Sequence, residues 1–258
     1  MCANYLPSPR ERIAADFGLD PRDYVFKPEV YPGNMAPMIR LAPQPGARPG
    51  LSSDSMEVVS AMFGLVPHWA DTRLARQTYN SRSETTAIKP AFREAWKRRQ
   101  FCVIPVLAIF EPSYETGAPV RWQISAQSGQ SLGIAGIWDY KTDGPNGAPL
   151  LSFSMLTVNA DDDPLMRRFH KPGDEKRSVV ILPPARYEEW LHSSVEDAPE
   201  FLQLFPSGEL QALAAPRAAK PAVALVRPRP RKKPPEQDSR ESGSGDLFGA
   251  DHGNEKPG

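Results

Sequence analysis

Between residues 100 and 183 the sequence is a series of short apolar or alternating segments separated by Gly, Asp, Asn and Pro. The segments read QFCVIPVLAIFEP, VRWQISA, SLGIAGIWDY, LLSFSMLTVNA and SVVILP. Runs of this length between turn residues are typical of β-strands. Their spacing is that of neighbouring antiparallel strands and not of units with crossover helices. The pattern predicts an α+β protein with a mainly antiparallel sheet that curls toward a barrel.

Helices are predicted around this sheet. The first runs from Leu6 to Gly18, with Ser8 as its cap and a proline in the first turn. The second begins at Pro90 and ends at Arg99. Two short helices, PARYEEWLHS and APEFLQLF, follow the last predicted strand.

Two further segments precede the strand series. Residues 20–50 are predicted as loops and short strands, because Pro and Gly interrupt every pattern there. The run EVVSAMFGLVPHW, which ends in Trp69, is predicted as one strand.

The last part of the chain differs in composition, being rich in Pro, Gly, Ser and charge. Such a segment buries too little apolar surface to offset its ordering entropy. We therefore expect a folded domain over residues 1–212 and a disordered tail over residues 213–258, basic at first and then mostly acidic. Within the tail, SGDLFG contains Asp246, Leu247 and Phe248 and resembles peptides that dock on the bacterial sliding clamp. The alternative is a tail with no partner.

Charge and cysteine content narrow the class of protein. Lysine plus arginine and aspartate plus glutamate number 31 each, so net charge does not indicate a polyanionic partner. Basic clusters nevertheless occur at 89–99 and 167–177. The two cysteines form neither a disulfide framework nor a zinc signature.

No secretory signal or membrane-length apolar run is present. We expect a monomeric cytoplasmic protein that needs no cofactor or metal.

Four places carry the polar residues that a site needs. They are Cys2, the stretch TYNSRSET that contains Asn80, Glu111 at the end of an apolar segment, and His170 before a strand. Removal of Met1 would leave Cys2 with an α-amine and a thiol on adjacent carbons. Each of the other residues, taken alone, is equally compatible with a structural role.

Taken in order, these features resemble the SRAP family, the SOS response-associated peptidases, which are understood as abasic-site processing proteins. The resemblance covers roughly residues 2–205. It includes the N-terminal MC, the N-x-R-x-E-T motif, GLVPHW, the FEP strand end and the single histidine before VVIL.

The resemblance implies a covalent thiazolidine between Cys2 and the ring-opened aldehyde of an abasic site in single-stranded DNA. An α-amine titrates near pH 8, so a usable fraction is neutral and can attack an aldehyde. The thiol then closes a five-membered ring, a step favoured by proximity.

The resemblance also implies roles for the other residues. Glu111 and His170 would transfer protons, and Asn80 would position Cys2. An imidazole titrates near neutral pH, which suits this work. The residues expected to contact DNA are Arg82, Trp69, Arg167 and Arg168, with the tryptophan stacking on a base and the arginines holding phosphates. A core position is the alternative for Trp69.

The sequence departs from the family pattern at three places. Residue 4 is Asn4 where many members have arginine, so one phosphate contact is absent or supplied elsewhere. The run before Glu111 is unusually apolar, which favours the protonated carboxyl. The segment Lys171–Arg177 replaces a shorter motif after the histidine, and its contacts stay unassigned. Cys102, on a predicted strand, is expected to be buried without a role.

Two other functions fit the residues. One is an N-terminal-nucleophile hydrolase, in which the Cys2 thiolate attacks an amide or ester with the α-amine as base. This would suit a peptidase, including one that removes only its own first residue. The other is a non-enzymatic module that binds single-stranded DNA through its basic segments.

Overall fold

The computed structural model describes residues 2–21, 26–43 and 52–217. The predicted clamp-binding peptide Asp246–Phe248 and most of the predicted disordered tail lie outside the described residues. Both stay predictions, as does the boundary between domain and tail.

Eleven strands and three α-helices occur in the described part of the chain. The strands are β1 (Tyr5–Pro7), β2 (Met35–Pro43), β3 (Ser52–Phe63), β4 (Asn80–Arg82), β5 (Phe101–Ser113), β6 (Val120–Ala126), β7 (Leu132–Lys141), β8 (Leu150–Asn159), β9 (Arg177–Val179), β10 (Ile181–Leu182) and β11 (Leu210–Ala214). The helices are α1 (Arg10–Phe17), α2 (Arg93–Lys97) and α3 (Tyr187–His192). Single 3-10 turns lie at Thr72–Arg76, Pro145–Gly147, Met166–Arg168, Pro184–Arg186, Ala198–Phe201 and Ser207–Glu209.

The strands form one sheet that closes into a ring. Strands β7, β8, β3, β2 and β5 pair in that order, and β5 also pairs with β7. Most pairings are antiparallel, but β3 and β4 each run parallel to β8. The helices lie outside the sheet, with α3 against β5 and α2 against β7. The predicted α+β class with a mainly antiparallel sheet and peripheral helices is confirmed.

The core has two large parts, because successive side chains of a strand point to opposite faces, and one small cluster around Val66 and Leu150. Along β5, Cys102 and Ile104 belong to one apolar cluster, which also contains Cys2. Val103 belongs to a second cluster, where Trp190 of α3 packs. Cys102 is fully buried, as predicted. The N-terminal cysteine is thus part of a packed interior, unlike most chain ends.

The start of the first helix was predicted wrongly. The segment from Tyr5 to Pro7 is strand β1, and α1 begins only at Arg10. Ser8 does not cap the helix; its hydroxyl donates to Ser131 Oγ at 2.9 Å. The main-chain hydrogen bonds available along β5 outweigh the local capping signal.

Two strand predictions were wrong in their bounds, and one strand was missed. Residues 35–43 form the long strand β2 despite two prolines, of which Pro37 lies opposite Ser60. Strand β3 ends at Phe63 and does not reach Trp69, because Gly64 has a φ of +109° and turns the chain. Strand β11 was not predicted.

Strand order differs from the expectation that consecutive strands are neighbours. The pairs β5–β6 and β7–β8 are antiparallel as predicted. Strands β6 and β7, however, each pair with β5, which lies between them. Among the residues that the structure describes, no helix combines the length and the apolar composition needed to cross a membrane.

Candidate functional site

Strand pairing brings the N-terminus to the end of β5. Strand β1 runs antiparallel to β5, with Tyr5 opposite Ile109. One residue further, the main-chain N–H of Phe110 donates to the carbonyl oxygen of Asn4 at 3.0 Å. Cys2 is therefore placed beside Glu111, although 109 positions separate the two residues in the sequence.

The thiol of Cys2 lies in a closed environment. The residue is 1% exposed, and its Sγ donates to the carbonyl oxygen of Asn4 at 3.5 Å. Burial, with the negative charge of Glu111 as a second cause, raises the pKa of Cys2 to about 12. The side chain is a protonated thiol at neutral pH in the chain that retains Met1.

Asn80 fixes the main chain of Cys2. It begins β4, the short strand that pairs with β8, where it lies opposite Met155. Its Nδ2 donates to the Cys2 carbonyl oxygen at 2.9 Å. Its Oδ1 is buried without a hydrogen-bond partner among the described residues, so an acceptor is available beside Cys2.

Glu111 and His170 form a pair. The Oε2 atom of Glu111 lies 3.0 Å from Nε2 of His170, and both side chains are largely buried. The 166–170 segment is tied to the end of β5, since the main-chain N–H of His170 donates to Pro112 O at 2.8 Å. The φ of His170 is +65°, a left-handed conformation that few non-glycine residues adopt.

Tyr79 also borders this region, although no sequence pattern indicated it. Burial raises the pKa of its phenol, and the charges of Glu111 and Cys2 add to the effect. The ring packs edge-on against Phe63, with centroids 5.8 Å apart.

Of the predicted DNA contacts, Arg82 is held by a carboxylate. Its Nη1 donates to Glu175 Oε2 at 2.7 Å. Glu175 also accepts from Arg177, a buried arginine whose Nη2 lies 2.9 Å from Glu84 Oε2. The segment Lys171–Arg177, whose contacts the sequence left unassigned, therefore closes over the N-x-R-x-E-T motif.

The other predicted DNA contacts lie at the surface. Arg168 pairs with Glu115 at 2.9 Å and lies over the ring of Trp122. Arg167 is exposed. Trp69 is 58% exposed in the loop after β3, so it is not a core residue. The structure thus brings together Cys2, Asn80, Glu111 and His170 and leaves the arginines and the tryptophan on the surface.

A second polar group, missed by sequence reasoning, surrounds Asn4. The Nη2 of Arg121 donates to Asn4 Oδ1 at 2.7 Å and lies 3.0 Å from Glu29 Oε2. Tyr31 donates its hydroxyl to the same carboxylate oxygen at 2.6 Å. The sequence predicts that β5 and β6 pair but not their register, so it could not place Arg121 here.

Comparisons with known proteins identify the family and the fold of this chain. The family model described as SOS response associated peptidase (SRAP) matches residues 1–220. An X-ray structure of a protein from Bordetella bronchiseptica is 34% identical, with a TM-score of 0.73, over 83% of this chain and 99% of that one. No curated protein matches the sequence.

Two more distant structures share the fold. A protein from Bacteroides thetaiotaomicron is 22% identical, with a TM-score of 0.67, over 83% of this chain and 91% of that one. A phage-related protein from Bordetella bronchiseptica is 16% identical, with a TM-score of 0.57, over 83% of this chain and 94% of that one.

Fold and site define a protein whose N-terminal cysteine is enclosed with an asparagine and a glutamate–histidine pair. The chain belongs to the SOS response associated peptidase (SRAP) family. It therefore belongs to a family associated with the response to DNA damage.

Proposed function

We propose that this protein captures abasic sites in single-stranded DNA by forming a covalent thiazolidine with Cys2 after removal of Met1. The crosslink would shield the lesion during the DNA damage response. The observation that supports the proposal best is the placement of Cys2, whose carbonyl is held by Asn80 at 2.9 Å beside the Glu111–His170 pair.

The reaction proceeds in two balanced stages. The neutral α-amine of Cys2 adds to the aldehyde carbon to give a carbinolamine, which loses water to form an imine. The thiol then adds across the C=N bond, so that a C–S bond forms and the sulfur's proton passes to nitrogen. Both nucleophiles belong to one residue, which gives the second stage the advantage of an intramolecular reaction.

Glu111 and His170 would transfer the protons that these reaction steps require. Opening of the sugar ring and loss of water each need a proton donor at oxygen and an acceptor nearby. A carboxyl and an imidazole 3.0 Å apart can exchange a proton between them and serve both roles in turn. The free Oδ1 of Asn80 is available to accept from the new α-amine.

DNA binding in this proposal is independent of sequence. Trp69 offers an exposed face for stacking on a base. Arg82, Arg167 and Arg168 supply cations for phosphates, and contacts of this kind weaken as salt rises. The protein acts as a monomer on single-stranded DNA in the cytoplasm.

The hydrolase alternative is less well supported. In the chain that retains Met1, burial raises the pKa of the Cys2 thiol, which disfavours thiolate attack to remove that first residue. The imine route begins at the amine and needs no thiolate at that step. A binding module without chemistry leaves the burial of Cys2 and the Glu111–His170 pair unexplained.

A denaturing gel distinguishes the three functions. Purified protein is incubated with single-stranded DNA that carries one abasic site, and Cys2→Ala is run beside it. We expect a slow band that survives denaturation and requires both Cys2 and the aldehyde. Peptide turnover without a band would favour the hydrolase. Salt-labile binding that is equal for Cys2→Ala, without a band, would favour the binding module.

A further inference from the structure

Arg121, on β6, is largely buried and contacts residues that are distant from it in the sequence. It lies opposite Pro112, next to the Glu111 position on β5. Its guanidinium carbon is 3.2 Å from the centre of the Phe110 ring, and its side chain is only 19% exposed. A planar cation held over an aromatic face has a fixed orientation.

The guanidinium is directed at Asn4. Its Nη2 donates to Asn4 Oδ1 at 2.7 Å and is shared with Glu29 Oε2 at 3.0 Å. Asn4 Nδ2 lies 3.3 Å from the same Glu29 oxygen and 3.3 Å from Val30 O. Both ends of the Asn4 amide are therefore occupied.

The main chain of Asn4 in turn contacts the site. Its carbonyl oxygen accepts from the N–H of Phe110 at 3.0 Å and from the Sγ of Cys2 at 3.5 Å. A rotation of Asn4 would displace the thiol and loosen the register between the N-terminal segment and β5. The position of Cys2 relative to Glu111 thus depends on how firmly Asn4 is held.

We propose that Arg121 is a positioning residue for the crosslinking reaction: it holds Asn4, and through Asn4 it keeps Cys2 beside Glu111. The inference rests on the proposed function. A residue of β6, far from the N-terminus in the sequence, would thus determine the orientation of the reacting nucleophile.

The contacts favour positioning over phosphate binding. The donating Nη2 already has two acceptors, and Glu29 balances the charge. Although burial opposes its ionisation, hydrogen bonding by Tyr31 and the charge of Arg121 lower the pKa of Glu29. The carboxylate therefore stays ionised at neutral pH and keeps the arginine engaged. A phosphate contact through Nη2 would require this pair to open.

The test separates rate from affinity. Single-turnover crosslinking of full-length protein is measured at saturating abasic single-stranded DNA. Affinity is measured with an oligonucleotide that carries a tetrahydrofuran analogue, which has no aldehyde. We expect Arg121→Ala and Arg121→Gln to lower the saturated rate by about 10-fold to 100-fold and to leave the affinity nearly unchanged.

Arg40 provides a matched control. It lies 4.6 Å over the ring of Trp138 and pairs with Glu57 at 2.9 Å, with a similarly small exposed fraction of 14%. Arg40→Ala removes a similarly buried, ring-stacked arginine from strand β2. Its saturated crosslinking rate should equal that of the wild type. An equal loss in both variants would assign the effect to general destabilisation and overturn the proposal.

A double-mutant cycle tests the route through Asn4. If Arg121 acts by holding Asn4, then Asn4→Ala together with Arg121→Ala should be no slower than the worse single variant. Additive losses, an unchanged rate in Arg121→Gln, or a loss confined to affinity would each overturn the proposal. Failure of the proposed function itself would be distinguishable, because the wild-type protein would then form no crosslink.

Discussion

The Nε2 atom of His170 lies 3.0 Å from Oε2 of Glu111, and the histidine reaches this position with a left-handed backbone. The uncommon conformation occurs at the residue whose imidazole the proposed reaction would use. Backbone strain of this kind is found mainly where function requires it. In the proposed reaction, these two residues, distant in sequence, would act as one proton-transfer unit.

Replacement of His170 by asparagine tests this pair without a backbone penalty. Asparagine tolerates the left-handed region better than most residues, so the fold should be kept while the imidazole is lost. We expect the saturated crosslinking rate to fall by about 100-fold, within the range of general acid–base catalysis. The measurement is single-turnover crosslinking, with melting temperature as the control. A wild-type rate in a folded His170→Asn protein would exclude the imidazole from the reaction.

Glu175 should weaken DNA binding, because it occupies the guanidinium of Arg82 at 2.7 Å. Glu175→Gln removes the competing charge, and we expect the affinity for single-stranded DNA at low salt to rise by about 2-fold to 5-fold. Fluorescence anisotropy with labelled oligonucleotide measures this.

The control for Glu175 is Glu189, which pairs with Arg186 at 2.9 Å on the surface. Glu189→Gln changes net charge equally and should leave affinity unchanged. In an Arg82→Ala background, Glu175→Gln should also have no effect. A gain that persists without Arg82 would show that the carboxylate acts by general repulsion.

The thiol of Cys2 should resist alkylation. At pH 9.0 an ordinary cysteine is half ionised, whereas Cys2 of the chain that retains Met1, with a pKa of about 12, stays protonated. Cys102→Ala isolates Cys2 for this measurement. We expect iodoacetamide to modify the folded variant at least about 100-fold more slowly than the denatured one. Comparable rates in the two states would contradict the described burial.

The same shift makes stability depend on pH. The unfolded chain releases the Cys2 proton near pH 9.0, whereas the folded chain keeps it until about pH 12. The contribution of the buried thiol to the free energy of unfolding is complete below pH 9.0. It is lost as pH rises through the pKa of Cys2 in the folded chain. In a Cys102→Ala background, melting temperature should therefore fall more steeply over this window than in the variant that also carries Cys2→Ser. Parallel curves would contradict the pKa shift.

Local patterns predicted much of the sheet. Strand β6 occupies Val120–Ala126, the predicted segment, because alternation and turn residues determine such a strand locally. The length of strand β2 was underestimated because Pro37 indicates a loop, whereas the pairing opposite Ser60 tolerates it. Ser8 looked like a cap, but a partner 123 positions away takes its hydroxyl.

The candidate site, too, could be predicted from the sequence only in part. Cys2, Asn80, Glu111 and His170 could be named from the sequence because motifs carry them in order. The arginine contacts could not, since the Arg82–Glu175 pair joins residues 93 positions apart. Ion pairs of this kind depend on strand order, and the order of this sheet, with β5 between β6 and β7, is not encoded in local spacing.

Mass spectrometry of the crosslinked product identifies the residue that reacts with the abasic site. Protein that has reacted with abasic single-stranded DNA is digested, and the modified peptide is sequenced. We expect the DNA remnant to be attached to an N-terminal Cys2 from which Met1 is absent, with the mass of the two reactants less one water. Attachment at any other residue, or a crosslinked peptide that still carries Met1, would contradict the proposed function.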